Sequence, residues 1–162
     1  MEEKINETAV WERVTAASGA KNRGEGPNTG PIGPELLTAM EHKENAVAAY
    51  RQLLSRCGGA GQRTLRRILS QEQQGLQQLF ALYYFLTGQR PCLGQLTVAR
   101  PRESLAEGLQ RMMREEELSA GRLEALAARS TGQTQALLLE LCHQEQLHFR
   151  LLLKILGCCM DS

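Results

Sequence analysis

The chain has 162 residues, of which 42% are hydrophobic and 4% aromatic, and its formal net charge is +1. This length suffices for one packed core, and the even mixture of charges excludes the basic stripe of a nucleic-acid-binding protein. Leu, Ala, Gln, Glu and Arg dominate, and because they form helices far more readily than strands we expect an all-α fold. No apolar run reaches the roughly 20 residues of a membrane helix. The five cysteines include no C-x-x-C pair, which favours a reducing cytoplasm.

The first part of the chain is rich in Gly and Pro between positions 19 and 34, which forbids a long helix there. We expect residues 1–34 to form a flexible tail or strap, in which Trp11 either docks on the main body or anchors a partner. Hydrophobic spacing then predicts four helices, over 35–56, 62–86, 102–129 and 133–156. The bundle is expected to cover 35–157, with 158–162 as a short C-terminal end.

An internal repeat relates the two helix pairs. Shifting the chain by 73 positions aligns residues 36–84 with 109–157 without a gap, and 12 of the 49 pairs are identical. Unrelated positions agree roughly one time in fifteen, so two copies of one helical hairpin are present. The identical pairs include Gln71-Glu72-Gln73 with Gln144-Glu145-Gln146 and Gly59 with Gly132.

Connection lengths predict how the hairpins are joined. The turns within each hairpin are short, which makes the paired helices antiparallel. The link between hairpins is longer: about 14 residues can stretch to roughly 46 Å, enough to pass along a 25-residue helix of roughly 38 Å. We therefore expect one long crossover and a pseudo-twofold axis, with the second and third helices parallel.

A candidate metal-ligand pattern lies on the last helix, where Glu145 and His148 form an E-x-x-H pair. Three residues apart on a helix means one face, so a carboxylate and an imidazole can bind the same ion. The repeat places Glu72 at the position equivalent to Glu145 and sets Lys43 against Glu116. Four inward positions, one from each helix, are therefore expected to converge.

On these residues the chain resembles, over 36–157, the rubrerythrin-like branch of the ferritin-like superfamily. In that family each hairpin supplies a Glu, a Tyr two turns later and an E-x-x-H motif, and together these hold a pair of iron or manganese ions. Lys43 stands here where the first Glu is expected, and Gly75 stands where the first His is expected. The resemblance implies a ferritin-like antiparallel bundle of two hairpins with a degenerate di-iron site. The metal ligands that it implies are Glu72, Glu116, Glu145 and His148.

The charges of this set suggest what the site can hold. Three carboxylates and one ammonium sum to minus two, which one divalent ion would neutralise, and an uncompensated buried charge is costly. Our hypothesis places the Lys43 ammonium in the first metal's position, paired with Glu72 and Glu145, with space left by Gly75. A single Fe, Mn or Zn ion would then bind Glu116, Glu145 and His148.

Two functions remain open at this point. The first is a metal-binding protein whose two-metal oxygen or peroxide chemistry is reduced or lost, so that no catalytic residue is assigned. The second is a metal-free helical scaffold in which Lys43 and the Glu residues form a buried polar network. In that case a partner or a second copy binds an outer bundle face. Self-association, for instance as a homodimer, is expected, and neither nucleic acid nor a membrane is expected as a partner.

Overall fold

The structure is a computed structural model that describes residues 32–94 and 102–160. Within these ranges it contains four helices and no strand: α1 (Gly33–Leu54), α2 (Gly59–Thr87), α3 (Leu105–Ala128) and α4 (Gly132–Met160). The predicted all-α four-helix architecture is thereby confirmed. The expectations for residues 1–31, including the role of Trp11, lie outside the described residues.

The helix ends follow from local sequence, and the observed boundaries differ from the predicted ones by one to four residues. α2 begins at Gly59, three residues earlier than expected. α3 begins three residues later than expected, because Ser104 and Glu107 form a reciprocal capping box in which each side chain accepts from the other's backbone N–H. α4 continues through Gly157 to Met160, past the predicted end at 156. None of the described helices combines the length and apolar character that a membrane span requires.

Ion pairs and polar contacts at the helix ends establish the topology. α1 packs against α2 and α3, and α4 packs against α3 and α2. Glu35 at the start of α1 pairs with Arg129 just beyond α3 at 2.6 Å, whereas Arg56 just beyond α1 donates to the carbonyl of Glu103 just before α3. α1 and α3 are therefore antiparallel, as are α1 and α2, so α2 and α3 run parallel. The end of α2 and the start of α3 therefore lie at opposite ends of the bundle, which agrees with the predicted crossover.

The repeat is visible in the backbone. Gly59 opens α2 with φ +57°, and its sequence equivalent Gly132 opens α4 with φ +59°. Left-handed φ values are costly for any residue with a Cβ atom, so both hairpin turns require the same glycine for the same reason. The two hairpins thus share a turn geometry as well as a sequence.

The hydrophobic core is divided into two clusters by a polar layer. One cluster lies around the start of α1 and includes Leu36, Met40, Leu79, Leu123 and Leu138. The other lies around the end of α1 and includes Tyr50, Leu53, Leu65, Leu109 and Leu152. Between them, every helix contributes a buried charged or ionisable residue at a position one helical turn from buried apolar neighbours. The members of this layer are Lys43, Glu72, Glu116, Glu145 and His148.

Candidate metal centre

The structure brings all four predicted ligands together. One ligand atom from each of Glu72, Glu116, Glu145 and His148 lies within 4.8 Å of the others, and all four side chains are buried. Because they come from three different helices, the tertiary fold is needed to assemble them. Glu145 and His148 share one face of α4 by their three-residue spacing, as the sequence predicted.

Lys43 lies inside the bundle, where the charge argument placed it. Its Nζ atom donates to Glu145 Oε1 at 2.6 Å and to both carboxylate oxygens of Glu72, at 3.1 and 3.2 Å. Only 2% of the residue is exposed. The ammonium group therefore neutralises part of the charge of two candidate ligands directly, and this element of the hypothesis is confirmed.

Gly75 provides the room for Lys43. A Cβ atom at this position would lie 3.0 Å from Lys43 Cε, 3.2 Å from Lys43 Nζ and 3.2 Å from Leu141 Cδ2. These distances are at or below ordinary van der Waals separation, so even an alanine would press on the lysine. Lys43 and Gly75, the two positions at which the repeat has Glu116 and His148 in its other half, thus lie next to each other on one side of the polar layer.

His148 faces two carboxylates with one nitrogen and an amide with the other. Its Nδ1 atom lies 3.0 Å from Glu72 Oε1 and 3.4 Å from Glu116 Oε2, while its Nε2 atom lies 3.1 Å from Gln71 Oε1. An amide oxygen can only accept, so the Nε2 atom carries the proton in this contact, and Nδ1 is the nitrogen available as a ligand. Gln71 thereby orients the ring and fixes its tautomer.

Gln71 contacts the candidate site through His148, and the sequence did not predict this. A signal was present, because Gln71 belongs to the Gln-Glu-Gln triplet that the repeat duplicates at 144–146. Its partner His148 lies 77 positions away, and nothing in the sequence showed that the amide would meet the imidazole. Tyr50 is buried in the core, and its hydroxyl donates to Glu116 Oε1.

Two buried polar atoms at the centre lack a hydrogen bond of ordinary geometry. They are His148 Nδ1 and Glu116 Oε2, which lie 3.4 Å apart. Buried polar atoms are nearly always satisfied, so an unsatisfied nitrogen and oxygen this close together need a specific explanation. A cation coordinated by both atoms would satisfy them, and an imidazole nitrogen with carboxylate oxygens is a donor set suited to Fe, Mn or Zn.

Burial and neighbouring charges shift the pKa values of the layer in opposite directions. Burial raises the pKa of Glu145, and the charge of Glu72 adds to the effect, so that it reaches about 8 despite Lys43. Burial alone would raise the pKa of Glu72, yet the Lys43 ammonium outweighs burial there and holds the pKa of that carboxyl below its usual value. At His148 burial opposes protonation, but Glu116 and Glu72 outweigh it and raise the pKa to about 9.

These directions describe the layer without a metal ion. At neutral pH without a metal ion, Glu145 is protonated and His148 is an imidazolium with protons on both ring nitrogens, so a metal ion has to displace the proton on Nδ1 to bind there. Lys43 is charged because Glu72 and Glu145 overcome its burial and raise its pKa. Two protons and one ammonium then balance the carboxylates. The network is nearly neutral, which a buried cluster requires to be tolerated.

Comparisons with known proteins supply no relative for this chain. No family model matches it, and neither a curated protein nor a solved structure does. The assignment of function therefore depends on the residues of the polar layer and their geometry.

Proposed function

We propose that this chain is a ferritin-like, rubrerythrin-type metal-binding protein that holds at most one divalent ion at Glu72, Glu116, Glu145 and His148. The observation that carries the proposal is the pair of unsatisfied atoms, His148 Nδ1 and Glu116 Oε2, within a group of four converging ligand atoms. A purely structural network would be expected to satisfy both atoms internally. Their separation of 3.4 Å fits two ligand atoms of one cation.

The residues have separable roles in this proposal. His148 supplies nitrogen, held in its tautomer by Gln71, and Glu116 supplies oxygen, held by the Tyr50 hydroxyl. Glu72 and Glu145 face the same point while each also pairs with Lys43. A bound Fe or Mn ion would supply one-electron or Lewis-acid chemistry, and Zn would supply Lewis-acid chemistry alone.

Lys43 limits the number of ions that the layer can accept. Its ammonium lies between Glu72 and Glu145, where a second cation would need the same carboxylates. Two like charges at such short range repel strongly in a buried site. We therefore infer that the two-electron oxygen or peroxide chemistry of paired metals is reduced or lost in this chain.

A metal-free scaffold is the second candidate, and one observation favours it. Lys43 already pairs with two carboxylates, and Tyr50 already bonds a third, so most of the layer is satisfied without an ion. In this reading the polar layer fixes the register of the four helices. The two candidates differ in metal content.

The deciding experiment is elemental analysis of protein produced in iron-replete medium and purified without a metal-affinity tag. We expect about one equivalent of Fe, Mn or Zn per chain, because one divalent charge balances the layer. His148→Gln and Glu116→Gln, which keep side-chain volume, should each lose the metal while retaining the helical circular dichroism of the parent. His143→Gln, on the exposed side of the same helix, is the matched control and should keep it.

Two outcomes would contradict the proposal. Protein without metal after iron-replete growth and after reconstitution would support the scaffold. Two tightly bound equivalents would instead refute the limit that we attribute to Lys43.

A further inference from the structure

A second group of reactive side chains lies at the end of the bundle, apart from the polar layer. Three of the five cysteines line one groove of about 790 Å³ between the α1–α2 turn and the end of α4. We refer to Cys57, Cys158 and Cys159 as the thiol groove. Its remaining walls are largely apolar and include Leu105, Leu151 and Ile155. All of the cysteines in the described residues are thiols in this structure.

Contacts at Gly61 show that Cys57 points toward α4. A Cβ atom built on Gly61 would lie 2.7 Å from Cys57 Sγ and 3.3 Å from Ile155 Cγ2, so the thiol and the isoleucine flank the same point. Cys159 follows Ile155 by four residues on α4 and therefore shares its face of the helix. Cys57 and Cys159 are also close enough to interact electrostatically. Of the two cysteines at the end of α4, Cys159 is thus the one aligned with Cys57.

The α1–α2 turn has the freedom to bring the two sulfur atoms together. Cys57 is followed by Gly58 and Gly59, and a Cβ atom at either glycine would meet nothing within 4 Å. Gly59 also has a left-handed φ of +57°, and its lack of a side chain lets the turn readjust at little cost. This turn is therefore the segment that adjusts when the two sulfur atoms approach the strict geometry of a disulfide.

We propose that Cys57 and Cys159 form a reversible intramolecular disulfide when the protein meets hydrogen peroxide. The exposed Cys159 thiolate attacks one peroxide oxygen, the O–O bond breaks, and Cys159 becomes a sulfenic acid as hydroxide leaves and is protonated to water. The Cys57 sulfur then attacks the Cys159 sulfur, the S–O bond breaks, and a second water leaves with the Cys57 proton. Two thiols are oxidised and one peroxide is reduced to two waters.

The environment assigns these roles to the two thiols. Burial and the neighbouring Cys159 raise the pKa of the Cys57 thiol, which keeps it protonated and slow toward peroxide. Cys57 is only half-buried, however, so it can still reach a sulfenic acid beside it. Cys158 adjoins Cys159 in sequence, and neighbouring cysteines on a helix form strained disulfides, which disfavours a pairing between them.

The test is disulfide mapping of the full chain. Protein treated with a small excess of peroxide, with a chelator present to suppress metal-catalysed oxidation, is alkylated and analysed by intact mass. We expect a loss of about 2 Da before alkylation and alkylation of three of the five cysteines. Trypsin cleaves after Arg56, Arg63 and Lys154, so the disulfide should appear as residues 57–63 linked to 155–162. Dithiothreitol should restore five alkylated cysteines.

Matched variants identify the pair. Cys57→Ser and Cys159→Ser should each abolish the linked peptide, whereas Cys158→Ser and Cys92→Ser should retain it, with unchanged circular dichroism in all four. The proposal is overturned if the linked peptide is absent, if it survives Cys159→Ser, or if the disulfide joins two chains. None of these outcomes depends on whether the polar layer binds metal.

Discussion

Lys43 is the residue on which the interior of this bundle most depends. It is a fully buried ammonium whose partners, Glu72 and Glu145, are equally buried. Removing one member of a buried ion pair leaves the other charge uncompensated. This usually costs more stability than replacing the whole pair with apolar residues. The residue therefore matters more for the charges that it neutralises than for the volume that it fills.

We expect Lys43→Met to lower the free energy of unfolding by about 3–5 kcal/mol. The methionine keeps most of the side-chain volume, but it leaves Glu72 without its counter-charge and removes the hydrogen bond to Glu145. Urea unfolding followed by circular dichroism measures the loss. Lys154→Met is the matched control, since Lys154 is exposed on α4 and its removal should change stability by less than about 0.5 kcal/mol. Equal stability of the two variants would contradict the role assigned to Lys43.

The sequence predicted the positions of individual side chains in the polar layer, because the repeat pairs each residue of one hairpin with a residue of the other. Alignment of Lys43 with Glu116 placed the lysine inside the bundle, and alignment of Gly75 with His148 indicated the space beside it. The contact between Gln71 and His148 could not be predicted. Which amide or carboxylate oxygen meets which nitrogen depends on rotamers that are set only after the helices have packed.

Individual helices are defined mainly by short signals at their ends. The capping box at Ser104 and Glu107 starts α3 later than hydrophobic spacing alone suggested, since a polar N-cap marks a helix end more sharply than the first apolar residue does. By contrast, α4 was expected to end at 156, and it continues through Gly157 to Met160. A glycine ends a helix only when the backbone adopts the left-handed conformation there, as Gly88 does after α2 with φ +70°.

The paired turn glycines give a prediction at this scale. Gly59→Ala and Gly132→Ala should each destabilise the protein by about 1–2 kcal/mol, because alanine disfavours a left-handed φ even where space is open. Nothing lies within 4 Å of a Cβ atom at either position, so the cost is conformational alone and should be nearly equal for both. Thermal unfolding measures it. Gly121→Ala, in open space inside α3, is the control and should be neutral or stabilising.

A clear inequality between the two turn variants would mean that the hairpins are not energetically equivalent. An unaffected midpoint in both would contradict the left-handed backbone at these glycines. Either result would mean that the two halves of the sequence repeat do not share this left-handed turn geometry.

For the molecule as a whole, the polar layer makes stability depend on pH. The folded pKa of His148, about 9, exceeds its ordinary value of 6.5, and that of Glu145, about 8, exceeds its ordinary value of 4.5. A group whose pKa is raised on folding adds to the free energy of unfolding. This contribution is fully present at a pH below the group's ordinary pKa and is lost as the pH rises through its pKa in the folded protein. Both groups therefore act in the same direction between pH 6.5 and 8, and His148 continues to about 9.

We expect the metal-free protein to lose stability as pH rises from 6.5 to 9. Each proton that the folded state holds in excess contributes a slope of about 1.4 kcal/mol per pH unit. Urea midpoints measured at intervals across this range, with a chelator present, give the slope. His148→Gln should flatten it, whereas His143→Gln should leave it unchanged. Stability that stays constant or rises over this range would contradict the protonated network.

The global arrangement was the part of the fold most accessible from sequence. Two short turns and one long link leave few ways to join four helices, and the observed pairing of Glu35 with Arg129 at opposite helix ends agrees with the crossover that the link length indicated. Metal occupancy, unlike the arrangement of the helices, cannot be predicted from the sequence. It depends on a free-energy balance between an ion, two protons and one ammonium in the same small volume, and residue spacing carries no information on that balance.

The ammonium of Lys43 has one further consequence, which follows from its attachment to the chain. A metal ion in such a position can be removed by a chelator, replaced by a competing metal or lost when the cell is starved of it. A cation on a side chain can be neither exchanged nor depleted, and it carries no electrons to donate. Wherever the concentration of free metal fluctuates, half of this layer keeps its charge and its shape from the moment the chain folds.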